Sequence, residues 1–254
     1  MIDEIERQLK SKIKGKLIYL SQFGSHLYGL NTENSDLDFR GVYIPALDDI
    51  ILKKDKDEIN TELWITRHLP DKEIKNDGEY VWTEVDRVES IKVDIKLFSL
   101  YKFIQLCSKA DTNALDLLFS ISKRTDIEQY MYLDNRPYNH SYSIFEQIFY
   151  NREKLINTDR LESPITYAWK ALSHAIRVLL EIKELLDTGN IQFPLKDKDF
   201  LLDIKLGKVE RKGIDEFFNK ELSEILERVQ KNELNWEYDE AFWNEFIIQE
   251  VKNV

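Results

Sequence analysis

Asp36 and Asp38 stand two residues apart at the head of a stretch, 37–44, whose loose apolar–polar alternation predicts a β-strand. Residues two apart on a strand share a face, so these carboxylates lie side by side while Leu37 and Phe39 turn into a core. Adjacent carboxylates repel, and either one takes a proton or a cation sits between them. A divalent ion with oxygen ligands meets that need. Asp94 is a third carboxylate, on a second alternating stretch in which Ile91, Val93, Ile95 and Leu97 face one way and Lys92, Asp94 and Lys96 the other. Were the two strands neighbours, three carboxylates would converge. Two metal ions need that arrangement to clamp the attacking and leaving oxygens of a phosphoryl displacement.

Gly24 and Ser25 supply a complementary feature. They follow an apolar run at 17–23 that reads as a strand, and they precede a short predicted helix. Glycine lets the backbone approach a ligand closely. The Ser25 hydroxyl, the following amides and the helix N-terminus form an anion site that would present a triphosphate to metal held by Asp36 and Asp38. A basic group lies farther on. Lys170, His174 and Arg177 fall at i, i+4 and i+7 of a predicted helix over 164–188, on a stripe roughly opposite Ile165, Trp169, Leu172, Ile176 and Leu179. That placement turns all three away from the helix's apolar core and toward a cleft, where they would bind triphosphate or acceptor phosphate. Arg40, directly after the carboxylate pair, is another phosphate candidate.

Each feature has a plainer reading. Asn34, Ser35 and Asp36 favour turns. Asp94 also has a reading as a solvent-facing strand residue between two lysines. The basic stripe can be a solvated helix face, Arg40 a structural ion-pair partner, and His26 and Tyr28 loop packing. His68 and His140 lack metal-ligand spacing. Cys107, beside Phe103 and Ile104, reads as a buried small hydrophobe.

The positioning elements come from the rest of the pattern. Up to about residue 97 the chain carries strand signals, preceded by an amphipathic helix over 2–13 with Ile2, Ile5, Leu9 and Ile13 on one face. Strands at 61–67 and 80–86 read as a hairpin about Asn76, Asp77 and Gly78. Beyond Phe98 helical periodicity dominates: 98–108, 113–119, 142–155, 164–188 (with Ser163 as N-cap and Gly189 as stop), 216–231 and 240–252. A polar stretch, 120–141, reads as a connection, and the charged runs 53–58 and 196–199 as solvated loops. The class is therefore α+β: a mixed-sheet domain over 1–122, then a helical domain over 123–254. The 254 residues carry 36 Lys and Arg against 47 Asp and Glu, a net charge of −11, which argues against a long nonspecific grip on a duplex. One cysteine excludes an internal disulfide framework and a cysteine-rich zinc site, and fits a reducing cytoplasm. No apolar run approaches the roughly 20 residues that span a bilayer, and the opening MIDEIERQLK has no apolar signal core, which argues against export.

Gly-Ser, then Asp-x-Asp about ten residues on, then a lone Asp on a later strand resembles the DNA polymerase beta-type nucleotidyltransferase superfamily. More narrowly, GSHLYGLNTENSDLDFRGVYIP resembles the RNA repair pathway DNA polymerase beta family of predicted nucleotidyltransferases. VDIKLFSLYKFIQLCSKADTNALDLLF resembles that family's third-aspartate strand and following helices, and KALSHAIRVLLEIKELLDTGNIQFPL and LLDIKLGKVE its helical part. The resemblance implies a carboxylate triad of Asp36, Asp38 and Asp94. The first two would bind two Mg2+ ions, and Asp94 would hold the catalytic ion and help deprotonate the attacking hydroxyl. Gly24 and Ser25 would lie at the phosphates of an NTP, ATP being the leading candidate. It implies NMP transfer to an RNA or tRNA 3′ end with pyrophosphate release. Adenylylation of a protein or small molecule, and a non-enzymatic nucleotide-binding regulator, are the alternatives. The chain departs from the family pattern at 110–113, where Ala-Asp-Thr-Asn stands in place of Gly-Asn-Pro, and in its long polar stretch 60–86.

Overall fold

A computed structural model describes residues 1–68, 73–76, 79–82, 88–120, 165–231 and 239–254. Helix α1 (Ile2–Lys10) opens the chain, with Asp3 and Glu4 in its first turn and Arg7 and Lys10 in its last, each sign matched to the helix dipole. Strand β1 (Gly15–Phe23) leads through a single helical turn, α2 (Ser25–Tyr28), to β2 (Leu37–Pro45). A short helix α3 (Leu47–Ile51), strand β3 (Glu58–His68), strands β4 (Glu73–Asn76) and β5 (Glu79–Trp82), and β6 (Val88–Ser99) follow. Helices α4 (Leu100–Ser108) and α5 (Thr112–Phe119) close the first half. The second half supplies α6 (Ile165–Thr188), α7 (Lys198–Lys205), α8 (Arg211–Gln230) and α9 (Glu240–Lys252).

The main sheet has the order β1-β2-β6-β3. β2 runs antiparallel to β1 and parallel to β6, and β3 runs antiparallel to β6. The expected α+β class is therefore observed, with one difference in pairing. β3 does not form a hairpin with the segment near residue 80; it pairs along its whole length with β6, while β4 pairs antiparallel with β5. An 11-residue strand finds more backbone partners on a 12-residue neighbour than a four-residue one can offer.

Strand alternation sorts the sheet into two faces. Phe39, Leu63, Val93, Ile95 and Leu97 pack under α1 against Ile5 and Leu9 in one core. Val42, Ile44 and Phe98 face the other way, into a larger core that continues through α4 and α5 to α6–α9. That second face is covered only at one end. At the other end it carries the polar residues of β2, β6 and β3, open to solvent and to the helical half.

The helices at 165–188 and 240–252 stand where the periodicity predicts them. α8 begins at Arg211, about one turn ahead of the expected start, and α7 occupies a stretch whose first residues read as a charged loop. Leu201 and Ile204 are fully buried and outweigh the charged residues ahead of them. The departure at 110–113 has a local solution. Ala110 takes the left-handed backbone usual for glycine (φ 50°), and the Asp111 side chain caps α5 by accepting from the amides of Asn113 and Ala114. The expected connection at 121–141, the helix at 142–155, the Ser163 cap, His140 and the 122/123 boundary lie outside the described residues.

Candidate active site

Three adjacent strands bring the carboxylates to one level. Asp38 of β2 stands directly opposite Asp94 of β6, and Asp94 directly opposite Glu62 of β3. Directly opposed residues share a face, so a row Asp38–Asp94–Glu62 crosses the open end of the sheet. The next row is Arg40–Lys96–Asn60, and Lys92 opposes Trp64 on the other side. Phe39, 1% exposed in the core beneath, anchors the strand that carries Asp38. Asp36 sits just before β2 and is exposed.

Gly24 meets Asp38 across the β1–β2 pair. It has φ 65° and ψ −145°, a conformation that L side chains rarely adopt, and a Cβ built on it would lie 2.5 Å from Asp38 Oδ2. Only glycine lets the loop pass this close to the carboxylate. α2 is a single turn, too short to present a helix-terminal field, so the phosphate-binding capacity of this loop rests on its amides and the Ser25 hydroxyl. Burial pushes the Asp38 carboxyl above the usual carboxylate range, and repulsion from Asp36 and Asp94 adds to it, while Arg40 and His26 pull the other way.

Two hollows meet at Asp38. The first, about 390 Å³, has Gly24, Ser25, Asp36 and Asp38 on one wall and Lys170, Ser173, His174 and Lys205 on the other. The second, about 560 Å³, lies over the sheet face and is lined by Asp38, Arg40, Asn60, Glu62, Asp94 and Lys96. Gly24, Ser25, Asp36, Asp38, Lys170, His174 and Arg177 thus all border the first hollow, and Arg40 and Asp94 border the second.

One of the sequence expectations changes. Arg177 does not face away from the core. It is 3% exposed and bound to Asp116 and Glu181 at 2.9 and 2.5 Å. The reason is that α6 is enclosed on both sides: the face opposite its main apolar stripe is buried too, and Ser173, Arg177 and Glu181 form a polar line along it. Arg40 lies on the same face as Asp38, with its guanidinium carbon 3.9 Å above the Phe23 ring. Lys205, absent from the sequence reading, lines the first hollow and donates to the Leu30 carbonyl at 2.7 Å; burial and the neighbouring Lys170 push its ammonium down. The apolar spacing of Leu201 and Ile204 was the available signal for the helix that carries it. Glu62 had no signal in the sequence, since its place beside Asp94 depends on strand pairing.

Carboxylate oxygens on this side of the sheet are a suitable donor set for hard divalent cations. Asp94 is already paired: Lys92 Nζ lies 3.2 Å from it and 2.8 Å from Glu62. Among the described residues no three His, Cys, Asp or Glu side chains are gathered as a metal cage. Asp36 and Asp38 both line the first hollow with no ion pair among the described residues, whereas Asp94 is held by Lys92.

Comparison with known proteins identifies the setting of this site. The family model of the RNA repair pathway DNA polymerase beta family matches residues 1–249. The chain belongs to that family. It is also similar to an uncharacterized 38.9 kDa protein from the nrdC-mobD intergenic region of Enterobacteria phage T4, at 24% identity over 91% of this chain and 96% of the phage protein. In this family member, no helix among the described residues is long and apolar enough to cross a membrane.

Proposed function

We propose that this chain is a cytoplasmic, metal-dependent nucleotidyltransferase. It transfers a nucleoside monophosphate from an NTP, ATP first among them, to the 3′ hydroxyl of an RNA or tRNA and releases pyrophosphate. The observation that carries the reading is the position of Asp38. One of its sides faces a hollow whose far wall is cationic, and the other faces a second hollow shared with Asp94. A phosphoryl transfer needs such an arrangement, with a triphosphate and an attacking hydroxyl brought to a common carboxylate edge from two directions.

Asp36 and Asp38 would hold two Mg2+ ions, with Asp94 on the catalytic one. When bound, the ions supply charge neutralisation at the triphosphate. Ser25 and the amides after Gly24 orient the phosphates from one wall; Lys170 and Lys205 neutralise them from the other, where His174 donates a hydrogen bond. The acceptor oxygen attacks the α-phosphorus, the bond to pyrophosphate breaks, and an Asp94 carboxylate oxygen takes the hydroxyl proton. Arg40 and Lys96, in the row beside the carboxylates, meet the acceptor's phosphates. Residues 1–122 form the catalytic unit and 123–254 its helical partner, which contributes the cationic wall.

The test offers the purified protein α-labelled NTPs, magnesium, and total RNA, tRNA, protein and aminoglycosides as acceptors. Label on RNA is the expected result. Label on protein or on a small molecule supports acceptor adenylylation instead, and binding without transfer supports a nucleotide-binding regulator. In the Asp36→Ala, Asp38→Ala double variant transfer falls by about 10³-fold or more, since several kcal/mol of charge stabilisation is removed. Undiminished transfer would sink the site assignment.

A further inference from the structure

Beneath the first hollow lies a buried charged cluster that contributes no atom to the carboxylate row. The Tyr28 hydroxyl donates to Asp116 Oδ2 at 2.7 Å. Arg177 Nη1 donates to the same oxygen at 2.9 Å and to Glu181 Oε1 at 2.5 Å. The Arg177 guanidinium carbon lies 3.9 Å above the centre of the Tyr28 ring. All four residues are buried, at 7% exposure for Tyr28, 1% for Asp116, and 3% each for Arg177 and Glu181. They come from three elements: Tyr28 ends the phosphate loop at α2, Asp116 belongs to α5, and Arg177 and Glu181 to α6.

The composition of the cluster is poor as a source of stability. Two carboxylates share one guanidinium, and Asp116 Oδ1 is buried without a hydrogen-bond partner. Apolar residues of like volume fill such a space at equal or lower free energy, because they carry no desolvation cost. Fixed direction is what the cluster adds. A guanidinium fork and a stacked phenol define distances that interdigitated aliphatic groups do not. Both walls of the nucleotide hollow hang from it. Tyr28 is three residues from Ser25, and Arg177 is one turn from His174 and two from Lys170. The helical half holds the same loop at two further points, through Leu195 N–H to the Tyr28 carbonyl at 3.3 Å and Lys205 Nζ to the Leu30 carbonyl at 2.7 Å.

Arg177 also sets the state of His174. Its Nη2 lies 3.1 Å from His174 Nδ1. A guanidinium only donates, so Nδ1 accepts and the imidazole proton sits on Nε2.

We infer that Tyr28, Asp116, Arg177 and Glu181 are positioning residues that fix the width of the nucleotide hollow and the tautomer of His174. They hold the Ser25 wall and the Lys170–His174 wall at the separation a polyphosphate spans. The inference rests on the nucleotidyltransferase reading.

The probe is magnesium tripolyphosphate, which needs neither a known base nor a known acceptor, titrated calorimetrically into the full chain. Tyr28→Phe keeps the ring and removes one hydrogen bond, and it is expected to weaken binding about 3- to 10-fold. Arg177→Lys keeps the charge but not the fork, and it is expected to weaken binding at least 10-fold. It also releases His174 to a mixture of tautomers, read from imidazole nitrogen chemical shifts. An apolar set (Asp116→Leu, Arg177→Met, Glu181→Met) keeps a thermal transition while losing binding. Leu222→Ala, in α8 away from the hollow, loses stability but binds like the parent. Parent-like binding and an unchanged His174 tautomer in Tyr28→Phe and Arg177→Lys overturn the inference alone. Equal weakening in Leu222→Ala overturns it as well, because the effect is then general destabilisation. A parent protein that does not bind the probe refutes the nucleotide reading itself.

Discussion

Replacing Gly24 by alanine is the sharpest perturbation of this site, because the added methyl meets the carboxylate at the centre of it. The Cβ would lie 2.5 Å from Asp38 Oδ2 where ordinary contact begins near 3.4 Å, so the carboxylate must retreat by about 0.9 Å or the loop must lift by as much. Either movement separates Asp38 from the phosphate loop. A misplacement of about 1 Å costs on the order of 10²-fold in rate, or about 2.7 kcal/mol of barrier. Backbone strain adds a separate loss of stability. Alanine at φ 65° and ψ −145° costs about 1–3 kcal/mol, which for a chain of this length lowers the thermal midpoint by about 2–4 °C for each kcal/mol. The assay is single-turnover NMP transfer beside a thermal scan, at a temperature where both proteins are folded. Gly189→Ala separates the two effects. Gly189 is also left-handed, at φ 72°, but ends α6 roughly 28 Å along the helix from Lys170, so its variant carries strain without displacing Asp38. A folded Gly24→Ala protein with parental kcat would refute the close-approach argument, and so would a Gly189→Ala protein that loses equal activity.

Two more outcomes follow from the same geometry. Lys205→Met is expected to weaken magnesium tripolyphosphate binding by about 10- to 100-fold, the range for losing a hydrogen bond to a charged group, and unchanged calorimetric affinity would remove Lys205 from the phosphate wall. Stability should fall on the alkaline side. Burial pushes both the Cys107 thiol and the Tyr28 phenol well above their ordinary values, so the folded chain keeps protons that the unfolded chain releases near pH 8.5 and 10. Their contribution is complete below about pH 8.5 and is lost as pH rises, by up to about 1.4 kcal/mol per group per pH unit. In Cys107→Ala the decline begins near pH 10 instead. Urea midpoints between pH 7 and 10.5 measure this, and a flat profile in the parent would contradict it.

How far the sequence discloses this site depends on the range of the interaction that decides each residue. Asp36, Asp38 and Gly24 lie within one local unit, strand–turn–strand, and period-two alternation is enough to place them. Asp94 needed one further fact, that β6 neighbours β2, and the parallel register between them supplies it. Glu62 and Lys205 needed strand pairing and helix docking, which no local period encodes. Arg177 shows the converse. The helical wheel put it opposite the apolar stripe correctly, but opposite did not mean solvent, because the tertiary fold covers both faces of α6. A mixed polar and charged line on a long helix was compatible with a solvated face or a buried network. Only Asp116 and Tyr28, from elements distant in sequence, decide between them. The misread hairpin has the same origin: a turn signal in a sequence does not encode which strands pair.

The net charge of −11 acquires a local meaning from this arrangement. An acidic chain repels polyphosphate at long range, so association depends on cations gathered where the ligand sits. Lys170 and Lys205 face the first hollow, and Arg40 and Lys96 the second. Two cations on this face of the sheet are already engaged. Lys96 lies 2.7 Å from Glu58, and Lys92 joins Glu62 to Asp94. The carboxylate row is therefore partly neutralised by its own chain before any ion arrives, which lowers the repulsion among Asp38, Asp94 and Glu62 in the folded protein. Asp36 and Asp38 have no comparable ion pair among the described residues, and Asp38 carries the raised carboxyl. Unmet negative charge is thus concentrated at the Gly24 edge of the row, beside the cationic wall. A divalent ion entering with a triphosphate would meet its strongest attraction at that edge.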